Sequence, residues 1–277
     1  HKIASKCAQL IEKGITTSTY GLGLDFNEEL MIEMANSGHG RGYYGQCAED
    51  LYDPFKEEFS LLLNTIATEL LLKVKCPNFI TLKVMNNLKN KSGKWLMPDI
   101  AASGEGWVLL KLNIAKEKIK DKSIEVLRCS LSYKKKNGLI EKTDPIKLIL
   151  EPLPQNAFSA VAEDEKVKSR ISEILVARYQ REARDAAQIG DWDRVDQIVA
   201  EAKQAAEGDE WISKAIASLE KYSRMRDRET FSKEALYSAE YMEKRLVSNN
   251  ENSLWDASIE EEKLPFLRKK LQRGKRW

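Results

Sequence analysis

The stretch Gly14-Ile15-Thr16-Thr17-Ser18-Thr19-Tyr20-Gly21-Leu22-Gly23-Leu24-Asp25-Phe26-Asn27-Glu28-Glu29-Leu30-Met31 decides how this chain is read. Its first half is dense in β-branched residues and ends in glycines, the composition of a strand that runs into a tight turn. In its second half Asp25 precedes Glu28 by three positions, a capping-box-like start with Asp in place of Ser or Thr. The helix so opened carries Leu30, Met31 and Met34 and stops at Ser37-Gly38. Upstream, Ile3, Cys7, Leu10 and Ile11 fall at helical spacing, and Gly14 stands where a helix ends. Downstream, residues 41–47 predict a short tyrosine-containing strand. A last helix is expected from about residue 48, with Leu51, Phe55, Phe59, Leu62, Leu63 and Ile66 on one side. Pro54 falls in a first turn that tolerates it. The order α-β-α-β-α over residues 1–67 is that of an α/β region, a parallel sheet with helices packed on it.

Beyond residue 67 the pattern changes. Runs at 70–75, 79–85, 106–114, 123–133 and 146–150 read as strands, with turn chemistry between them at Asn86-Asn87, Ser92-Gly93, Ser103-Gly104 and Asn137-Gly138. Asn137-Gly138 is the strongest hairpin signal in the chain. Short strands at this spacing predict a β-sandwich-like domain over residues 68–154. Pro152-Leu153-Pro154 closes it, and residues 155–277 read as an all-α C-terminal region. Val167, Ile171, Ile174 and Leu175 start a long amphipathic helix that reaches residue 189. Gly190-Asp191-Trp192 then turns the chain, with Asp191 as N-cap. Further helices are expected over about 192–206, 210–224, 227–247 and 259–272, with an asparagine-rich linker at 248–253. The residues on either side of Gly190 resemble one tetratricopeptide-like helical hairpin, and the sequence shows no second copy at a fixed period.

Composition narrows the classes. Hydrophobic content of 42% supplies real cores, and 32% charged residues suit a soluble surface. The sequence contains no apolar run of the roughly 18 residues that a membrane span needs. The net charge of +2 hides an uneven distribution. Residues 1–67 carry 5 basic and 10 acidic side chains, whereas residues 68–154 carry 17 basic and 9 acidic. The basic excess is either a site for an acidic partner or a solvated lysine face. The four cysteines are scattered without a CxxC pair, and His1 and His39 are the only histidines, so no zinc site assembles from spacing. Scattered thiols favour a reducing compartment such as the cytoplasm, while any targeting sequence would lie upstream of this chain. Gly21-Leu22-Gly23 lacks the further residues of a nucleotide loop and reads as a turn. No nucleophile and base fall together, so the chain is expected to have no catalytic residues.

The stretch quoted first resembles the penultimate strand, loop and helix of bacterial von Willebrand factor A (VWA) domains. Gly42-Tyr43-Tyr44, followed by Ala48-Glu49-Asp50-Leu51 and Phe55, resembles the last strand and closing helix of such a domain. The β module and helical tail are similar in layout to bacterial VWA proteins known as homologues of calcium-activated chloride channels, a historical label. The resemblance implies a C-terminal half of a VWA domain, accompanied by an N-terminal VWA segment, and a protein-binding function. In this family an Asp-x-Ser-x-Ser loop, a Thr and an Asp hold Mg²⁺, and an acidic side chain of the partner completes the octahedron. No Asp-x-Ser-x-Ser occurs in this chain. No metal ligand is therefore assigned here, and Mg²⁺ is expected only together with the N-terminal half.

The candidate binding rim is Gly21, Gly23, Asp25, Phe26 and Asn27, at the strand-to-helix switch where α/β folds place ligands. Its plainer reading is a loop that caps a helix. Two basic patches give the alternatives. Lys134, Lys135 and Lys136, with the helical hairpin, would serve a metal-independent scaffold. Arg268, Lys269, Lys270, Arg273, Lys275 and Arg276 would touch nucleic acid or acidic lipid. No nucleic-acid motif accompanies that last run, and a basic helix end also suits the helix dipole.

Overall fold

The structure is a computed structural model that describes residues 2–11, 13–102, 104–115, 117, 119, 123–206, 210–244 and 247–248. The chain divides into two compact units. Residues up to 63 and from 172 to 245 form the first, and residues 64–171 with 246–249 form the second.

The first unit opens with α1 (Lys2–Ile11), which buries Ala4 and Cys7 and ends at Gly14. The Gly14 N–H donates to the Ile11 carbonyl at 2.8 Å, and its φ of +76° is one that a glycine adopts without strain. β1 (Thr17–Leu22), α2 (Glu28–Ser37) and β2 (His39–Gly45) follow. The two strands pair in parallel, with Tyr20 opposite Tyr43. Their side chains sort by face. Ile32 of α2 and Tyr44 share a core cluster, and the Thr19 hydroxyl donates to the Met31 carbonyl at 3.0 Å. On the other face Tyr20 stacks on Tyr43 with centroids 5.0 Å apart. A 3₁₀ turn (Ala48–Leu51) then leads into α3 (Tyr52–Asn64) on that second face. Its Glu58 carboxylate accepts from the Ser18 hydroxyl, and from the Tyr43 hydroxyl at 2.7 Å.

Two local expectations need correction. The N-cap of α2 is Asn27, whose side chain accepts from the Leu30 N–H at 2.8 Å, and Asp25 caps nothing. Two acidic or amide residues precede the helix, and the helix starts at the nearer one. The apolar stripe of α3 does form, but it is exposed, and Ile66 belongs to the next strand.

The second unit is antiparallel. β3 (Thr65–Lys75), β4 (Ile80–Val84), β5 (Asn90–Lys91), β6 (Lys94–Leu96), β7 (Ile100–Ala101) and β8 (Gly104–Glu105) precede β9 (Leu110–Ile114). The long β10 (Ile124–Lys135) carries β11 (Ile140–Lys142) and β12 (Ile146–Leu150) along one edge and β3 along the other. β4 and β9 pair as a separate ribbon. Ile80, Leu112 and Ile114 of that ribbon cluster with Val74, Val126 and Leu127 of the sheet. The register shift between Glu125 and Leu127 explains how Val126 and Leu127 are both buried. The architecture is mixed α/β, and the β module is one sheet with a two-stranded cover at one end.

After the short α4 (Gln155–Phe158) come α5 (Glu165–Gln188), α6 (Trp192–Ala205), α7 (Glu210–Met225) and α8 (Arg228–Lys244), and a final β13 (Val247–Ser248) pairs with β8. The helices pack through one core that includes Ala183, Ala187, Val195, Val199, Ile216 and Phe231. They form two hairpins, not one. Gly190 and Arg226 both turn the chain at positive φ, +77° and +53°. Each donates to the carbonyl three residues back, at 3.0 Å in both cases. Asp191 then accepts from the Arg194 N–H at 3.1 Å, and Asp227 from the Thr230 N–H at 3.2 Å. All these pairs lie 36 positions apart in the sequence, as do the buried Val195 and Phe231. The repeat is hidden because the second turn uses an arginine where the first uses a glycine.

Candidate functional site

The loop between β1 and α2 is built as a clasp within the first unit. A Cβ at Gly21 would stand 2.2 Å from the Phe26 Cζ, too close for contact, so glycine there lets the ring lie on the strand end. Gly23 turns at φ +72°. Phe26 packs against Tyr44 and Tyr237, with centroids 5.9 and 6.4 Å away. Lys233 of α8, with only 5% of its side chain exposed, donates to the Phe26 carbonyl and to Glu28, each at 2.9 Å. Its ammonium also sits 4.3 Å from the Phe26 ring centroid, a cation–π contact in a desolvated place. Arg184 of α5 donates to Glu29 at 2.7 Å and reaches Glu28 at 3.4 Å.

Burial works to raise the Glu28 carboxyl pKa. Hydrogen bonds from Lys233 and from its own backbone N–H, with the charges of Lys233 and Arg184, outweigh it and hold the group below its ordinary 4.5. Burial, with the nearby Glu28 charge, pushes the Tyr237 phenol well above its usual range.

The five rim candidates therefore divide. Gly21 is buried, Gly23 and Phe26 are half-buried, Asn27 is the helix cap, and Asp25 is exposed. Among the described residues no group of three or more His, Cys, Asp or Glu side chains is placed to hold a metal ion. Those residues do not compose a magnesium site, and Glu28, which follows the rim, is tied to Lys233. Lys233, Arg184 and Tyr237 escape a reading of sequence, because nothing local marks an α8 lysine as the partner of a loop 207 residues earlier.

A second surface of this unit is apolar. Tyr52, Phe55, Phe59, Leu62 and Leu63 of α3 form one helical stripe and are each 56–70% exposed. What holds α3 on the sheet is the Glu58 pair of hydrogen bonds, the buried Pro54, and Phe55 tilted on Tyr20 at 5.8 Å. Among the described residues β1 pairs with no strand but β2, so no further strand covers its other edge.

In the second unit Lys134 pairs with Glu69 at 3.1 Å and Lys135 with Glu141 at 2.6 Å, whereas Lys136 has no ion pair among the described residues. The hairpin they belong to borders a cleft of about 530 Å³ lined by Ile66, Leu70, Ile100, Leu131 and Tyr133. Arg268, Lys269, Lys270, Arg273, Lys275 and Arg276 lie outside the described residues. All four cysteines are free; Cys7 is buried and the others are half-buried. Among the described residues no helix is long and apolar enough to cross a membrane.

The mixed α/β chain, with two parallel strands flanked by helices and a loop at the strand-to-helix switch, has a fold similar to that of von Willebrand factor A-type proteins. No family model matches the sequence, and no curated protein does. The fold assignment rests on solved structures. The chain is similar to the von Willebrand factor type A protein from Catenulispora acidiphila, with a TM-score of 0.58 and 16% identity over 76% of this chain and 54% of that one. It is also similar to the ArnB paralog VWA2 from Sulfolobus acidocaldarius, with a TM-score of 0.51 and 16% identity over 81% of this chain and 55% of that one. The chain thus spans about half the length of these structures. Neither of the two carries the chloride-channel label.

Proposed function

We propose that the chain serves protein recognition within a VWA-type protein and carries no catalysis of its own. The observation behind this reading is the α3 stripe beside the open edge of β1. A soluble chain seldom leaves five large apolar side chains of one helix in water, and two parallel strands seldom stand without further pairing. Both features ask for the same occupant, a polypeptide that lays apolar side chains on α3 and adds a strand to β1. Either the same protein or another supplies it. The helical hairpins, which belong to the same unit, then act as its frame. A magnesium-bridged contact with an acidic partner residue at Asp25 and the rim would take its ligands from outside the described residues.

The test purifies the tagged protein from its native cells as wild type and as Phe59→Glu with Leu62→Glu, each with and without chelator. Wild type is expected to elute in a larger assembly that the double variant loses. Retention of the assembly by the variant would contradict the reading. Loss on chelation in the wild type would move the contact to the metal-mediated rim.

A further inference from the structure

We propose that the β10–β11 hairpin of the second unit docks on an anionic phospholipid surface. Its turn is rigid. Gly138 sits at φ +83°, its N–H donates to the Lys135 carbonyl at 2.8 Å, and the Lys135 N–H donates to the Leu139 carbonyl at 2.8 Å. Leu139 is further fixed by its N–H bond to the Asn137 side chain at 3.1 Å. This turn presents Leu139 and Ile140 to solvent at 62% and 76% exposure. Two branched aliphatic side chains held out at a hairpin tip gain nothing from the fold and gain much from leaving water.

The charges around the tip choose between lipid and protein. The side chains of Lys136, just past β10, and Lys142, at the end of β11, are exposed and make no ion pair or hydrogen bond among the described residues. Glu141, the acidic residue of the tip, accepts from Lys135 and from the Tyr133 hydroxyl, so it does not offset them. Asp144 lies beyond β11. The whole stretch 68–154 is basic, with 17 cationic and 9 acidic side chains. Aliphatic side chains at a tip with unpaired lysines flanking them match the acyl boundary and phosphate layer of an anionic leaflet. The apolar cleft behind the hairpin gives an acyl chain somewhere to lie. Strand addition by a polypeptide fits less well, because β11 is three residues long and Thr143 and Pro145 interrupt the edge before β12.

The test sediments the full chain with vesicles of phosphatidylcholine alone or mixed with phosphatidylserine. Binding is expected only to the mixed vesicles and is expected to weaken as salt rises. Lys136→Ala and Lys142→Ala should each lower affinity about fivefold, the effect of one lysine near an anionic surface. Leu139→Asp with Ile140→Asp should abolish binding while leaving the melting curve as in wild type, since both positions are exposed. Ile140→Trp should show blue-shifted emission on the mixed vesicles. No binding to mixed vesicles, binding unchanged in the hairpin variants, or an unmoved tryptophan signal would each overturn the proposal. Because every variant keeps residues 268–277, binding that survives in them would assign the affinity to another part of the chain.

Discussion

Replacing Lys233 with methionine tests the clasp that ties the β1–α2 loop to the helices. The variant keeps most of the alkyl stem against Phe26 and removes only the ammonium. That removes a charge-assisted hydrogen bond from the Phe26 carbonyl and the nearer cation from Glu28, which retains Arg184 at 3.4 Å. Breaking one partner out of a buried pair costs about 3–5 kcal/mol. Glu28 is still 17% exposed and keeps its second cation, so the expected loss lies at the low end, about 3 kcal/mol. Glu28→Gln should cost less, about 1–2 kcal/mol. The double variant should fall short of the sum by at least about 1 kcal/mol, because the two groups touch. Urea unfolding followed at the helical circular dichroism band reads all three. The pH dependence has a definite sign. The Glu28 carboxyl lies below 4.5 in the fold, so its contribution is complete above that value and is lost as pH falls through the lower folded value. The gap between wild type and Lys233→Met should therefore close in acid. A loss under about 1 kcal/mol at neutral pH, with no coupling to Glu28, would refute the clasp.

Three other outcomes follow from the same geometry. Gly21→Ala drives a methyl against the tip of the Phe26 ring and should cost about 1–3 kcal/mol by thermal melting. Asn27→Ala should lose about 1 kcal/mol, whereas Asp25→Ala should stay within about 0.5 kcal/mol, which separates the cap from its neighbour. Asp191→Ala and Asp227→Ala should destabilise by similar amounts, each about 1 kcal/mol, if the two helical hairpins are equivalent.

What the sequence reveals here is what depends on neighbours in the chain. The Thr-rich run before Gly21-Leu22-Gly23 is a strand, Gly14 ends a helix, and Asn137-Gly138 turns a hairpin, all from local backbone preference. The start of α2 shows the limit of that logic, since Asp25 and Asn27 both have capping side chains and only the path of the backbone chooses between them. The stripe on α3 is legible as a helix, but periodicity cannot say whether its apolar face is covered. The second helical hairpin stays hidden because Arg226 adopts a left-handed conformation that sequence reading reserves for glycine or asparagine. The clasp is least legible of all. Lys233 reads as a helical surface lysine until tertiary packing sets it against Phe26 and Glu28.

The central claim is that polypeptide covers the stripe on α3. Site-specific photo-crosslinking tests it most directly, with the reactive group introduced at Phe59 in the full protein in its native cells and, as control, at the exposed Lys6 of α1. The account predicts a discrete polypeptide adduct from position 59, absent from position 6 and unchanged by chelator. Position 59 giving no adduct, or the same weak pattern as position 6, would mean that α3 faces water and that recognition lies elsewhere.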